Sequence, residues 1–410
     1  MTSIAISPFD PVKIGPLTLR NRFIKSGANE GMCVDGAPSK ALVKHHRDLA
    51  AGGVGMTTLA YFAVSRDGRT LENQTWLRPE ILPDLRALSV AVKQQGAAIS
   101  AQITHGGAFV TGMKLGKPAL SSSAGINKAG LLAGNYRRLA MTEADMERIT
   151  AEFVAAAQLC REAGFDAVEI HMGHGYLLNQ FISPLDNHRK DQYGGSAENR
   201  VRFPARVLAA VKSAVGRELA VIAKINVADG VRGGATVEDG IVTAQALEAA
   251  GSDLLVLSGG RNVESLWFMF GSPMNLEEFG RVLKNAPFTR LALRLNALGT
   301  PKGWRFRELY FLEQSRRIRA AVKLPLAYLG GAASLDNAEA LLGEGFDCIA
   351  MARPLIHDPG LISKYRVGSQ RQSGCTHCNG CIPYIYHPDG TRCILNPPNE
   401  PGLNRLRASA

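Results

Sequence analysis

The 410-residue sequence predicts an α/β protein built as a single (β/α)8 TIM barrel, and three observations carry that reading. A corner recurs four times in which a helical stretch stops at glycine, an acidic or small residue follows, and a short apolar run begins. The corners lie about 90 to 110 residues apart, which leaves room for one further strand each time. The composition, 46% hydrophobic and 20% charged, supplies a large core and excludes a disordered or collagen-like chain. A doubly wound open sheet is the alternative, and the even spacing disfavours it.

In chain order, the first strand falls at Arg22 to Ser26, and the first corner, Gly52 to Gly55, leads into Met56 to Tyr61. Ala97 to Thr104 follows, then Gly164, Phe165 and Asp166 turn into Ala167 to Ile170. Leu219 to Ile225 precedes Gly251, Ser252 and Asp253, which open Leu254 to Leu257. Leu324 to Leu329 precedes Gly345, Phe346 and Asp347, which open Cys348 to Met351. Glycine ends a helix in the left-handed conformation, and four to six apolar residues suit a strand buried on both faces. Helical periodicity fills the intervals, as from Met141 to Ala163, where Thr142 is the N-cap and Asp145 completes a capping box. Two connections are too long for plain turns, one after strand three (His105 to Ala140) and one after strand six (Gly259 to about Arg305). In a barrel such loops build the active face, and Trp267 to Phe270 in the second offers aromatic cover for a pocket or a subunit contact. The units expected are a barrel over residues 1–364 and a Cys-rich extension over 365–410 packed on it.

No apolar run reaches the roughly 18 residues of a membrane span, and Ser7 to Pro11 lacks the build of a signal peptide, so a cytoplasmic protein with no membrane partner is expected. Lys and Arg total 47 against 36 Asp and Glu, a net charge of +11 that favours anionic ligands such as phosphorylated cofactors or acyl-CoA. The charges are scattered rather than blocked, so no nucleic-acid partner is expected.

Chemistry concentrates at the ends of the strands. After strand four stand His171, His174 and Tyr176, two imidazoles able to bind a developing oxyanion and a phenol able to supply a proton; zinc ligation and structural burial are the alternatives. Gly330 and Gly331 after strand seven, with Ala352 and Arg353 after strand eight, form the phosphate site usual to this fold. A phosphorylated ligand anchored there lies across the mouth toward Gln102 and Lys224. Cys375, Cys378, Cys381 and Cys393 read C-x2-C-x2-C-x11-C, a set that suits a cubane iron–sulfur cluster or tetrahedral zinc, with empty thiols as the third reading.

The run from Glu169 through His171, Met172, Gly173, His174, Gly175 and Tyr176 to Pro184, followed by Asn187, Arg189, Asp191, Tyr193, Gly194, Gly195, Ser196, Glu198, Asn199 and Arg200, closely resembles the signature of the old yellow enzyme (NADH:flavin oxidoreductase) family. Ile14 to Arg22 does so too, and the resemblance runs from Phe9 to about Pro397. It implies non-covalent FMN, with Ser26, Gly27, Ala28 and Ala60 against the isoalloxazine, Gln102 on its pyrimidine edge, Lys224 near N1, and Gly331, Ala352 and Arg353 on the phosphate. It further implies NAD(P)H as reductant in a ping-pong scheme that reduces the C=C bond of an enone or enoyl substrate. His171 and His174 would hold the carbonyl oxygen, and Tyr176 would protonate the α-carbon. Asn29 stands where the family commonly has Thr or Cys, and Lys224 where Arg is more usual.

Asn379 with Leu395, Asn396 and Pro397 is similar to the cluster-binding segment of the dienoyl-CoA reductase and trimethylamine dehydrogenase branch, which implies a [4Fe-4S] cluster. The sequence stops at Ala410, short of that branch's nucleotide-binding domain. The resemblance therefore also leaves room for an FMN and iron–sulfur dehydrogenase or demethylase that passes electrons to a separate reductase or partner protein, and for a homo-oligomer. A non-catalytic flavin sensor is the reading from another class.

Overall fold

A computed structural model describes residues 6–396 and 403–409. Pro397 lies outside the described residues, as do residues 1–5 and 410 at the outer limits of the two expected units. Eight parallel strands close into a barrel: β1 (Phe23–Lys25), β2 (Met56–Ala63), β3 (Ala98–Thr104), β4 (Ala167–Met172), β5 (Ala220–Asn226), β6 (Leu254–Ser258), β7 (Leu326–Tyr328) and β8 (Cys348–Met351). Each pairs with its neighbour in sequence, and β8 returns to β1 with Ile349 opposite Phe23 and Met351 opposite Lys25. All eight match the expected segments.

Helices α1 (Lys40–Ala51), α2 (Leu82–Lys93) and α3 (Glu143–Glu162) follow the first three strands. After β4 come α4 (Leu177–Ile182) and α5 (Ala197–Val215), and after β5 comes α6 (Val237–Ala249). Thr142 caps α3 reciprocally with Asp145, as its sequence predicts. The recurring corners have a physical basis. Gly53, Gly164, Gly251 and Gly345 take φ of +101°, +81°, +92° and +84°, values that side-chain-bearing residues rarely adopt. In three copies the acidic residue then accepts a backbone N–H of a neighbouring strand: Asp166 from Ile99 (3.0 Å), Asp253 from Val221 (2.8 Å) and Asp347 from Leu326 (2.9 Å). Each of these carboxylates also meets a cation from a preceding helix, Lys93, Lys212 or Arg319.

The two long connections are more ordered than loops. The one after β3 folds a small sheet from Ala119–Ser121, Gly125–Ile126 and Arg137–Ala140. The one after β6 folds into α7 (Leu266–Phe270), α8 (Leu276–Val282) and α9 (Pro287–Ala297), because its apolar residues recur at helical spacing. The chain then runs through α10 (Leu312–Ala321), α11 (Leu335–Gly343), α12 (Arg353–His357) and α13 (Leu361–Arg366).

At the N-terminal end of the strands a hairpin of Val12–Ile14 and Leu17–Leu19 plugs the barrel, packing Val12, Ile14 and Leu19 on Ile24, Met56, Ile222, Leu254 and Val256. Side chains alternate along a strand, so the inward set continues by twos from this plug to the opposite mouth: Ile24 to Ser26, Ala167 to Glu169 and His171, Ile222 to Lys224, Val256 to Ser258. The residues after α13 are largely irregular and hydrogen-bond back to the barrel: Ser373 N–H to Ala333 O (2.8 Å), Thr391 N–H to Glu30 O (2.7 Å), and Arg407 with Ser409 on the buried Asp84 of α2.

Candidate active site

The C-terminal mouth opens into a cavity of about 280 Å³. Of the residues expected to bind cofactor, Ser26, Gly27, Ala28, Gln102, Lys224, Gly331, Ala352 and Arg353 line it, together with His171, His174 and Tyr176. Ala60 lies just behind the lining, where a Cβ placed on Gly27 would come within 3.4 Å of its methyl. Gly330 faces Phe311 instead, and its carbonyl accepts the Tyr328 hydroxyl (2.8 Å).

A charged layer forms the floor. The buried Lys224 ammonium donates to Ser26 Oγ (3.0 Å) and Gly27 O (3.0 Å) and pairs with Glu169 (3.1 Å). Glu169 also accepts from Gln102 Nε2 (2.5 Å), so one carboxylate fixes both groups that face the expected flavin ring. Sequence reasoning gave Glu169 no role, although it lies two residues before His171 and so shares its inward face. Beside it a second buried pair, Lys25 with Glu30, underlies the 26–29 segment, and Glu30 accepts the Ala60 N–H (3.0 Å). Glu30 is held down to about 2: burial pushes it up, but the Lys25 ammonium and the His46 contact outweigh that.

The His171 ring lies 4.9 Å from that of His174 and 4.6 Å from that of Tyr176. Burial, with each other's charge and that of Lys224, lowers His171 well below the ordinary imidazole range. Burial and Lys224 bring His174 to about 3. Both are therefore neutral near pH 7. His171 Nδ1 accepts the Gly173 N–H (3.3 Å), which leaves the proton on Nε2, and His174 Nε2 meets Ser258 Oγ (2.8 Å). His174 takes a left-handed φ of +61°, held by its N–H to Asn226 Oδ1 (3.1 Å) and by Asn262 donating to its carbonyl. Burial and the neighbouring Tyr61 raise Tyr176 well above its ordinary range, so it keeps its proton. Tyr61, Asn262 and Tyr386 also line the cavity, and no local pattern announced them.

Arg353 opens α12, and its guanidinium donates to Asn379 Oδ1 (2.6 Å) and Phe270 O (2.7 Å). A Cβ on Gly331 would meet Tyr310 at 2.8 Å, so the backbone there stays bare. A bare turn and a fixed guanidinium at one end, with Lys224 and Gln102 at the other, form a donor set that fits FMN: a phosphate site and a pyrimidine-edge site in one cavity.

The four tail cysteines are free thiols grouped beside this cavity, which Cys381 helps to line. Four thiols in one segment can serve as ligands to an iron–sulfur cluster or to a zinc ion. Burial pushes the Cys381 thiol up to about 12, so metal binding there has to displace its proton. His377 lies flat on Phe306 with ring centroids 3.6 Å apart.

Comparison with known proteins adds the following. A profile of the NADH:flavin oxidoreductase / NADH oxidase family matches residues 7–265. The chain is 38% identical over 392 residues to a 4,4'-dithiodibutanoate disulfide reductase of Rhodococcus erythropolis, covering 95% of each. It is 32% identical over 401 residues to an NADH oxidase of Thermoanaerobacter brockii, covering 95% of this chain and 56% of that one. Among solved structures, a 2-naphthoyl-CoA reductase complex superposes with a TM-score of 0.78 at 25% identity, over 95% of this chain and 57% of the other. The chain thus spans little more than half the length of the last two.

Proposed function

The chain belongs to the NADH:flavin oxidoreductase / NADH oxidase family, and from that premise we propose that it binds FMN at the barrel mouth and reduces the C=C bond of an α,β-unsaturated carbonyl or enoyl substrate at the expense of NAD(P)H. The observation that carries this reading is the convergence of neutral His171, neutral His174 and protonated Tyr176 on the wall of one cavity whose floor holds Lys224 and Gln102. FMN bound there would supply hydride-transfer chemistry between NAD(P)H and the alkene.

Ser26, Gly27 and Ala28 would lie against the ring with Ala60 behind them, Gln102 and Lys224 would hold its polar edge, and Gly331, Ala352 and Arg353 would hold the phosphate. His171 through Nε2–H and His174 bind the substrate carbonyl oxygen and stabilise the charge that develops there. Tyr176 supplies the proton to the α-carbon. The balance is one alkene, one NAD(P)H and one proton giving the saturated carbonyl and NAD(P)+. Leu71, Phe109, Leu266 and Met269 make the rest of the cavity apolar, which favours a neutral organic substrate. We assign Cys375, Cys378, Cys381 and Cys393 to a [4Fe-4S] cluster on their donor chemistry and spacing.

Anaerobic stopped-flow separates the two half-reactions. Tyr176→Phe is expected to slow flavin reoxidation by an enone by about 10²-fold or more and to leave flavin bleaching by NADPH unchanged. Equal slowing of both halves overturns the proton-donor role. The full-length likeness to a disulfide reductase favours a second reading, in which a small organic disulfide, NAD(P)H and a proton yield two thiols and NAD(P)+. Thiolates leave without protonation at carbon, so under that reading Tyr176→Phe spares turnover of the disulfide.

A further inference from the structure

Asn379, inside the Cys-rich loop, joins three parts of the molecule that are far apart in sequence. Its Oδ1 accepts from Arg353 Nη1 (2.6 Å), while its Nδ2 donates to Ser272 O (3.2 Å) and Pro273 O (2.9 Å) in the connection that roofs the cavity. The side chain is 1% exposed, and the backbone takes a left-handed φ of +56°. Two residues earlier, His377 repeats that conformation (φ +57°) and stacks on Phe306, and the Arg353 guanidinium also lies over that ring, 5.8 Å from its centroid. The two spacers of the C-x2-C-x2-C run thus both bear on one arginine.

We propose that Asn379 is a positioning residue for the cofactor phosphate: it sets the reach and fork orientation of Arg353, and so makes retention of FMN depend on the fold of the cysteine loop. This rests on the reading that Arg353 holds the phosphate. An arginine on a flexible stem loses rotamer freedom when it grips an anion, and a partner that fixes its fork beforehand removes that cost. The amide of asparagine suits this place because one end accepts from the guanidinium while the other donates to two carbonyls, and because asparagine tolerates a positive φ. Linkage is reciprocal, so filling the phosphate site also steadies the cysteine loop.

The test compares the affinity of FMN-stripped protein for FMN and for riboflavin, which lacks the phosphate, by flavin fluorescence. Asn379→Gly keeps the left-handed turn and removes the amide; it is expected to weaken FMN roughly ten-fold and to leave riboflavin unchanged. Asn379→Asp keeps the acceptor for Arg353 and is expected to retain most of the FMN affinity. Equal weakening of both ligands reduces Asn379 to a general structural residue and overturns the proposal, as does unchanged FMN binding in Asn379→Gly. Wild-type protein that does not prefer FMN to riboflavin overturns the phosphate assignment itself, and the proposal with it.

Discussion

The two ends of the barrel are made from the same strands and obey opposite rules. At the N-terminal end the inward residues are aliphatic, the hairpin seals them with Ile14 and Leu19, and charges sit outside in the Asp253–Lys212 type of corner. Two to four residues further along, the same inward positions carry Glu169, His171, Lys224 and Ser258, equally buried or nearly so. Burying an aliphatic side chain contributes about 1.5–3 kcal/mol, whereas a buried ion pair often does no better than a well-packed apolar pair. The plug is there for stability. The charged layer is tolerated because a ligand needs it.

The strongest way to break that contrast is Lys224→Met, which strands the Glu169 carboxylate without its ammonium. We expect a loss of about 3–5 kcal/mol in denaturant unfolding together with loss of bound flavin. Adding Glu169→Leu should recover the stability and leave the flavin site dead; a double variant that still holds flavin would contradict the division of labour. At the other end, Ile14→Ala should cost about 2–5 kcal/mol by cavity formation without changing FMN affinity, and a parallel loss of affinity would show that the ends are coupled. At the corners, Asp253→Ala leaves the Val221 N–H unpaired and should cost about 1–3 kcal/mol, read from the unfolding midpoint.

The smallest effect per group is pH dependence. Burial lowers His46 and His105 to about 4 and also holds His171 well below the ordinary range, so the native state refuses protons that the unfolded chain accepts below its ordinary value of about 6.5. Stability is therefore full above that pH and falls as the pH drops toward 4, by at most about 1.4 kcal/mol per unit for each imidazole. Most of these groups are at the mouth or beside it, so replacing Ile14 should not alter the slope, while His105→Asn should reduce it.

The barrel was legible because its signals are local. A glycine at positive φ, an Asp that takes up a strand N–H and a short apolar run recur at fixed distance, and each has a physical cause that the structure displays. The first copy departs from the rule, with Gly55 in place of an acid, and there the Arg20 guanidinium binds Val54 O instead (3.0 Å). In the mouth, His171, His174, Tyr176, Gly331 and Arg353 could be picked out by their chemistry and the strand ends they occupy, whereas Ser26, Gly27, Ala28 and Ala60 were implied only by the family resemblance. Tyr386, and the contact of Asn379 with Arg353, were not legible, because their partners lie on other connections and nothing in the residues around them encodes that meeting. Glu169 was readable in principle, by counting two back from His171 on a strand.

Asp84 is fully buried in α2, and the cation beside it is Arg407, 323 residues later. On a ribosome adding about 5–20 residues per second, that carboxylate waits roughly 15–65 seconds for its counter-charge. The last strand is still missing from β1 for most of the same interval. Until Arg407 and Ser409 dock, the Asp84 carboxylate has only water in place of the guanidinium, hydroxyl and backbone N–H that meet it in the folded chain.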